Sequence, residues 1–219
     1  RFEKAGERIM EVSRGRAEPL LPAGQRILIY KNNSDRKGNS YACHENYLMD
    51  RNMPFNHIVE QFTSFLVTRQ IFCGAGKVGA ENGTEDCAYQ ISQRADFFET
   101  EVGLDTMVKR PIINTRDEPH ANRDRYRRLH VIVGDSNMSE YSIYLKMGTT
   151  SLMLQMIEDG FITKDFSLRN PVKTIKDVSR DLPCKLPIEL ASGRTILPVG
   201  LQHEYLQHAH RYVVERGGD

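Results

Sequence analysis

The sequence predicts an α+β fold, and two features of its hydrophobic pattern carry that prediction. Short β-branched or apolar runs, typical of strands, concentrate in the earlier part of the chain. Longer stretches with apolar residues at helical spacing lie between and after them. Strands and helices grouped in this way are typical of α+β proteins.

Five strands and five helices follow from this pattern. The predicted strands cover residues 26–30, 41–49, 88–94, 110–116 and 129–135. The predicted helices cover residues 1–12, 54–72, 139–160, 170–181 and 201–216. Gly160 suits a helix end, while Asn170 and Pro171 suit the N-cap and first position of the next helix. The stretch 95–109 is expected to be a polar and aromatic connection between strands.

The first helix is amphipathic, with Phe2, Ile9 and Met10 expected to face inward. No initiating Met and no signal peptide precede it. We therefore expect the chain to belong to a longer protein.

Composition excludes several classes of protein. The 219 residues carry a formal charge of +1, which favours neither nucleic acid nor an anionic membrane as a partner. No apolar run approaches the roughly 20 residues needed to span a bilayer. The four cysteines contain no CxxC pair, which indicates reduced thiols and a cytoplasmic location.

Three predicted strands each carry a row of polar side chains on one face, because side chains alternate along a strand. The rows are His44 with Asn46, Gln90 with Ser92 and Arg94, and Arg128 with His130. Arginine suits phosphate and carboxylate groups, and neutral imidazole binds metal ions. Such rows fit a site for an anionic ligand with metal ions, although a solvated sheet face would also give polar rows.

The segment after the fourth strand is dense in charge. Arg116 follows the strand directly, so we expect it to contact a phosphate or a carboxylate. Asp117, Glu118 and His120 have the chemistry of metal ligands, but Pro119 makes this segment a turn. We therefore expect the acidic pair to form a hydrogen-bonded structural corner.

Two other features are weaker signals. Residues 74–79, GAGKVG, lack the Lys-Ser/Thr ending of a phosphate-binding loop and follow a helix instead of a strand. His203, His208 and His210 lie on the last predicted helix, where an exposed helix face is expected rather than a metal site.

Four long motifs resemble the family of Pup ligases and Pup deamidase/depupylases, enzymes that attach or remove a small ubiquitin-like protein tag. The motifs are YKNNSDRKGNSYACHENYLM, SQRADFFETEVGLDT, RPIINTRDEPHA and YRRLHVIVGDSNMSE. Their order matches the family, and the resemblance covers essentially the whole chain.

The resemblance implies a glutamine-synthetase-like fold, in which a curved antiparallel sheet holds ATP and Mg²⁺. It implies that His44 and His130 bind one Mg²⁺ near the γ-phosphate. It places Arg94, Arg116 and Arg128 around the phosphates and the substrate carboxyl or amide group.

The chain departs from the family pattern in three places. It lacks the N-terminal Gly-x-Glu-x-Glu-type strand that supplies carboxylate ligands, the strand with the catalytic aspartate, and the smaller C-terminal domain. We therefore expect residues 1–219 to be the central part of the catalytic domain, completed by the rest of the same enzyme or by separate chains.

The activity implied by the resemblance is that of a depupylase, because motifs such as HENYLMDR and FFETEVGLDT look more like that branch. A depupylase cleaves the isopeptide bond between the C-terminal glutamate of Pup and a substrate lysine, and it deamidates the C-terminal glutamine of Pup. The partners would be Pup and pupylated proteins, and the cofactors ATP, or ADP with phosphate, and Mg²⁺. A Pup ligase and a non-catalytic tag-binding module are the alternatives.

Overall fold

The structure is a computed structural model that describes residues 2–41, 43–104 and 109–217, apart from the side chain of Phe2. The helices are α1 (Phe2–Ala17), α2 (Phe55–Thr68), α3 (Gln70–Cys73), α4 (Glu140–Glu158), α5 (Pro171–Arg180) and α6 (Pro198–Arg216). The strands are β1 (Glu45–Asp50), β2 (Lys77–Val78), β3 (Tyr89–Gln90), β4 (Phe98–Gly103), β5 (Arg110–Asn114), β6 (Tyr126–Val131), β7 (Ile188–Glu189) and β8 (Thr195–Ile196). The chain divides into two compact units between Asn32 and Asn33.

The first unit consists of α1, a short 3₁₀ turn at Glu18–Leu20 and an extended segment. The predicted strand 26–30 is wrong: the segment pairs with no strand among the described residues, and Leu28 and Tyr30 are exposed. Ile9 and Met10 are also exposed, contrary to the inward orientation expected for them. An apolar pattern specifies a buried face only where another element covers it, and this unit supplies no cover for these side chains.

The second unit is built on a four-stranded sheet in the order β1-β6-β5-β4. β1 and β6 are antiparallel over their full length, from Glu45 opposite Val131 to Asp50 opposite Tyr126. β5 is antiparallel to β6, whereas β4 and β5 run parallel. The α+β class is therefore confirmed, and the sheet is mixed where the resemblance implied an antiparallel one.

The core lies between one face of this sheet and the helices. β5 is buried at every position, as expected of a central strand. Leu129 and Val131 of β6 face the core and are each 1% exposed, so His130 between them points to the opposite face. The helical side of the core is formed mainly by buried residues of α2, α4 and α6, among them Phe62, Met153 and Tyr205.

The helix boundaries follow local sequence signals. The Asn170 side chain accepts a hydrogen bond from the Lys173 amide at 3.0 Å, and Pro171 opens α5, which confirms both predictions. Gly160 follows α4 with a φ of +61°, a conformation that glycine adopts without strain. No described helix combines the length and the apolar character needed to cross a bilayer.

Two further predictions about single elements were wrong. β4 lies within the stretch 95–109 that was expected to be only a connection. His208 is 4% exposed and packs against Phe166, so it does not belong to the exposed face of α6. Helical spacing alone did not distinguish it from His203 and His210, which are exposed.

Candidate functional site: paired histidines on a positively charged sheet face

Two histidines from separate segments meet on the sheet face opposite the core. His130 lies on β6 next to Asn46 of β1 and Asn114 of β5, and His44 immediately precedes β1. The Nδ1 atom of His44 is 2.8 Å from the Nε2 atom of His130. The two side chains that the family resemblance selected as a pair therefore meet on this face.

Both imidazoles favour the neutral form. Partial burial, together with the neighbouring His44 and Arg128, lowers the pKa of His130 to about 4. The pKa of His44 is also lowered, first by burial and then by the positive charge of nearby arginines, foremost Arg94 and Arg128. A neutral imidazole has a lone pair available for a metal ion, whereas an imidazolium has none.

The pair fits part of a divalent-cation site. Adjacent ligands of an octahedral ion at about 2.1 Å lie roughly 3 Å apart, close to the separation of the two ring nitrogens. The Nδ1 atom of His130 is buried and has no hydrogen-bond partner among the described residues. No group of three potential ligands occurs in the described part of the chain, so the described residues offer two nitrogen ligands without the set of oxygen ligands that Mg²⁺ prefers.

Arg116 and Arg128 give this face a positive charge. Arg128 contacts Asn46 Oδ1 at 3.0 Å and Glu118 Oε2 at 3.2 Å. The Arg116 side chain is exposed two residues after the end of β5 and makes no hydrogen bond within the described residues. The site therefore contains cationic groups that suit phosphate or carboxylate oxygens.

Arg94 is placed differently. Its guanidinium is 1% exposed and donates to the carbonyl oxygens of Ile132 and Gly134 and to the Ser40 hydroxyl. Burial lowers its pKa to about 10. The structure therefore puts Arg94 behind the site and not on the face where Arg116 and Arg128 lie.

The third polar row was wrongly assigned to the same sheet. β3 spans only Tyr89–Gln90 and pairs with β2 in a separate two-stranded sheet. Gln90 and Ser92 are buried, and they hydrogen-bond to Asp96 and Asp135 respectively. Polar alternation there reflects an internal hydrogen-bond network, which the pattern alone does not distinguish from an open site.

The segment after β5 is the structural corner that was expected. Asp117 forms an ion pair with Arg51 and accepts the backbone amide of Arg128 at 3.2 Å. Burial raises the pKa of Asp117, but hydrogen bonds from Arg51 and Arg128 outweigh it, so the pKa is lowered overall. Glu118 pairs with Arg128 at 3.2 Å.

The glycine-rich segment 74–79 follows α3, as expected, and is not a phosphate-binding loop. Lys77 is buried and pairs with Glu81 at 2.6 Å and with Asp96 at 3.5 Å. Its ammonium group is therefore engaged in a structural network.

Sequence reasoning missed Arg110. It lies at the start of β5, lowers the pKa of His44, and donates to the Ser40 carbonyl at 3.0 Å. Its position at the start of a buried strand gave no sign that it would approach His44, because that approach depends on the path of the loop before β1.

The protein has a mixed sheet backed by helices, and the open face of this sheet carries paired imidazoles with lowered pKa values beside arginines. These groups have the chemistry that suits an anionic ligand together with a divalent cation. The model of the Pup-ligase protein family matches residues 1–219. The chain belongs to this family.

Individual relatives include both branches of the family. A depupylase of Acidothermus cellulolyticus is 56% identical over 217 residues, 99% of this chain and 43% of that protein. A Pup deamidase/depupylase of Mycolicibacterium smegmatis is 47% identical over 218 residues, 100% of this chain and 44% of that protein. A Pup–protein ligase of Actinosynnema mirum is 48% identical over 220 residues, 99% of this chain and 48% of that protein.

Two solved structures share the fold. The Pup ligase PafA in complex with ADP matches with a TM-score of 0.87 and 41% identity, covering 98% of this chain and 47% of that one. The complex between Pup and PafA matches with a TM-score of 0.86 and 44% identity, covering 98% of this chain and 43% of that one. The chain thus spans slightly less than half the length of these relatives.

Proposed function

We propose that this chain supplies part of the active site of a Pup deamidase/depupylase. This enzyme would hydrolyse the isopeptide bond between the C-terminal glutamate of Pup and a substrate lysine, and deamidate the C-terminal glutamine of Pup. The observation that carries the proposal is the contact between His44 and His130 on a positively charged sheet face. The 56% identity to a depupylase favours this branch of the family.

His44 and His130 would hold a Mg²⁺ ion, and their low pKa values keep both imidazoles ready to bind it. Arg116 and Arg128 would contact the phosphates of ATP, or of ADP with phosphate, and the carbonyl group of the substrate. The ADP complex of PafA supports a nucleotide site in this family. When bound, the ion would polarise the carbonyl or phosphoryl oxygen.

The chemical demand is the same for deamidation and for isopeptide cleavage. Both reactions remove an amine from a γ-carbonyl, and negative charge develops on its oxygen during attack. Arg116 and Arg128 would stabilise that charge, and the loss of one contact that stabilises charge in the transition state typically costs about 3–4 kcal/mol. We expect the attacking group to come from a part of the enzyme outside this chain.

Pup and pupylated proteins would be the partners, and the rest of the enzyme would complete the site within the same polypeptide or as separate chains. The complex between Pup and PafA supports Pup as a partner. All four cysteines are free thiols, which fits a reducing compartment, so we place the enzyme in the cytoplasm.

A Pup–protein ligase is the second candidate, because one relative with that name is 48% identical and the two matching structures are ligases. The same residues would then stabilise phosphoryl transfer from ATP to the glutamate of Pup, giving an acyl phosphate that a lysine attacks.

One assay separates the candidates. The full-length protein is incubated with Mg²⁺ and either ATP or ADP, in one tube with a pupylated protein and in another with free Pup and an acceptor protein. Release of free Pup supports the depupylase, and ATP-dependent conjugation supports the ligase. Binding of Pup without either reaction would refute both and leave a tag-binding module.

A further inference from the structure

Arg94 is a buried cation that forms no ion pair among the described residues. Its Nη1 atom donates to the carbonyl oxygens of Ile132 and Gly134, the latter at 3.0 Å, and its Nε atom donates to Ser40 Oγ at 2.8 Å. Burying a charge without an opposite charge is unfavourable. Hydrogen bonds must therefore stabilise the buried Arg94 guanidinium, and the acceptors of these bonds indicate the role of the side chain.

These targets belong to the two segments that carry the histidines. Ile132 lies two residues after His130, at the end of β6. Ser40 lies four residues before His44, in the loop that leads into β1. One guanidinium therefore joins the two segments that carry the imidazoles.

The surroundings of Arg94 hold it in one orientation. Its guanidinium lies over the ring of Phe98, 5.4 Å from the centroid. Its backbone amide donates to Ser92 Oγ at 3.0 Å, and that hydroxyl donates to Asp135 at 2.9 Å. Arg110 adds a second contact to the same loop through the Ser40 carbonyl.

We propose that Arg94 is a positioning residue that fixes the loop carrying His44 against the end of β6 and so sets the separation of His44 and His130. The role of the histidines rests on the proposed function, whereas the joining of the two segments does not. The planar fork of arginine is required, because a lysine ammonium at the same place does not reach acceptors in three directions on a rigid plane.

The test compares R94K with R180K in the full-length protein. Arg180 is a matched control because it is also a largely buried arginine that joins separate segments, through Asp96, Thr84 and the Glu85 carbonyl. None of those segments carries His44 or His130. Three quantities are measured: amide hydrogen exchange of the peptide that contains His44, affinity for Mn²⁺ by electron paramagnetic resonance, and affinity for ADP without divalent ions.

We expect R94K to accelerate exchange of the His44 peptide and to weaken Mn²⁺ binding by about tenfold or more, as changes behind a metal ligand typically do. ADP affinity without divalent ions should stay unchanged, and R180K should leave the exchange of this peptide and the Mn²⁺ affinity unchanged. Unaltered exchange in R94K would overturn the proposal. A loss of ADP affinity with unaltered exchange would overturn it in favour of a direct phosphate contact.

A second variant covers the case in which R94K does not fold. S40A removes only the acceptor of the Arg94 Nε atom, and it should shift exchange and Mn²⁺ affinity in the same direction by a smaller factor. No shift in either quantity would contradict the proposal. If the unmodified protein binds no Mn²⁺, the metal site of the proposed function fails, and the exchange data alone decide whether Arg94 joins the two segments.

Discussion

Two charged regions of the second unit are built in opposite ways. In the Asp96 cluster, formed by Lys77, Glu81, Gln90, Asp96 and Arg180, opposite charges are in direct contact. Asp96 is fully buried and accepts from Arg180 at 2.9 Å and from Gln90 at 2.8 Å, while Lys77 also pairs with Glu81 at 2.6 Å. The charges balance within the cluster itself.

The histidine site, formed by His44, His130, Arg116 and Arg128, leaves its charge unbalanced. Among the described residues, the only carboxylate that pairs with one of its side chains is the exposed Glu118, which contacts Arg128. Burial and positive neighbours keep both imidazoles neutral, so the site offers lone pairs and cations with little negative charge. A balanced cluster stabilises a fold, whereas an unbalanced one is suited to an anion that arrives from outside.

The largest effect is expected from a substitution that disrupts the Asp96 cluster. D96A would leave Lys77 and Arg180 without their buried partner, and removing one member of a buried pair typically costs about 3–5 kcal/mol. We expect the free energy of unfolding of the full-length protein to fall by that amount in urea titration. D86A is the control, since Asp86 is exposed and should change stability by less than about 0.5 kcal/mol. Equal stability of the two variants would show that the Asp96 cluster is not a structural anchor.

The next largest effect is expected from substitutions of the two histidines of the histidine site. H130A should reduce Mg²⁺-dependent activity at least about a hundredfold, equivalent to about 2.7 kcal/mol, because one of two nitrogen ligands is lost. H44A should behave alike, and both should weaken Mn²⁺ binding measured without substrate. H203A, on the exposed face of α6, serves as the control and should keep full activity. Retained metal affinity in H130A would remove the histidines from the site.

A smaller effect is expected when one positive charge is removed from the histidine site. R116Q should weaken nucleotide affinity by roughly tenfold, because hydrogen bonds to charged groups contribute about 1.5 kcal/mol or more. The loss should shrink at high salt, as expected for an exposed cation. R123Q changes another exposed arginine that lies outside the sheet, and its nucleotide affinity should equal that of the unmodified protein. Identical affinities of R116Q and R123Q would exclude Arg116 from the nucleotide site.

The Asp96 cluster and the histidine site also differ in how well the sequence predicted them. Alternation along the strands identified the polar rows that contain His44 and His130, and the family resemblance paired the two side chains. The long, regular pairing of β1 and β6 places both rows on one sheet. The same reasoning failed for Gln90 and Ser92, since β3 ends after two residues and the chain then turns inward. Periodicity identifies faces within a strand, but it does not say which sheet the strand joins.

The role of Arg94 could not be predicted from spacing for the same reason. Its three acceptors lie in segments far away in sequence, at Ser40, Ile132 and Gly134, and two of them are backbone carbonyls that carry no residue-specific signal. Helix ends were easier, because the signals at Gly160 and Asn170 are local. Local chemistry was therefore predicted, and chemistry that depends on the path of the loops was not.

The smallest effect separates stability from function. Asn170 caps α5, whose last turn carries Arg180 and so supports the Asp96 cluster. N170A should lower the free energy of unfolding by about 1 kcal/mol, and N170S, which keeps a capping oxygen, should lose only a fraction of that. Neither change reaches the histidine site, so Mn²⁺ affinity of the folded protein should be unchanged in both. A weaker Mn²⁺ affinity in N170A would mean that the Asp96 cluster and the histidine site are coupled through α5.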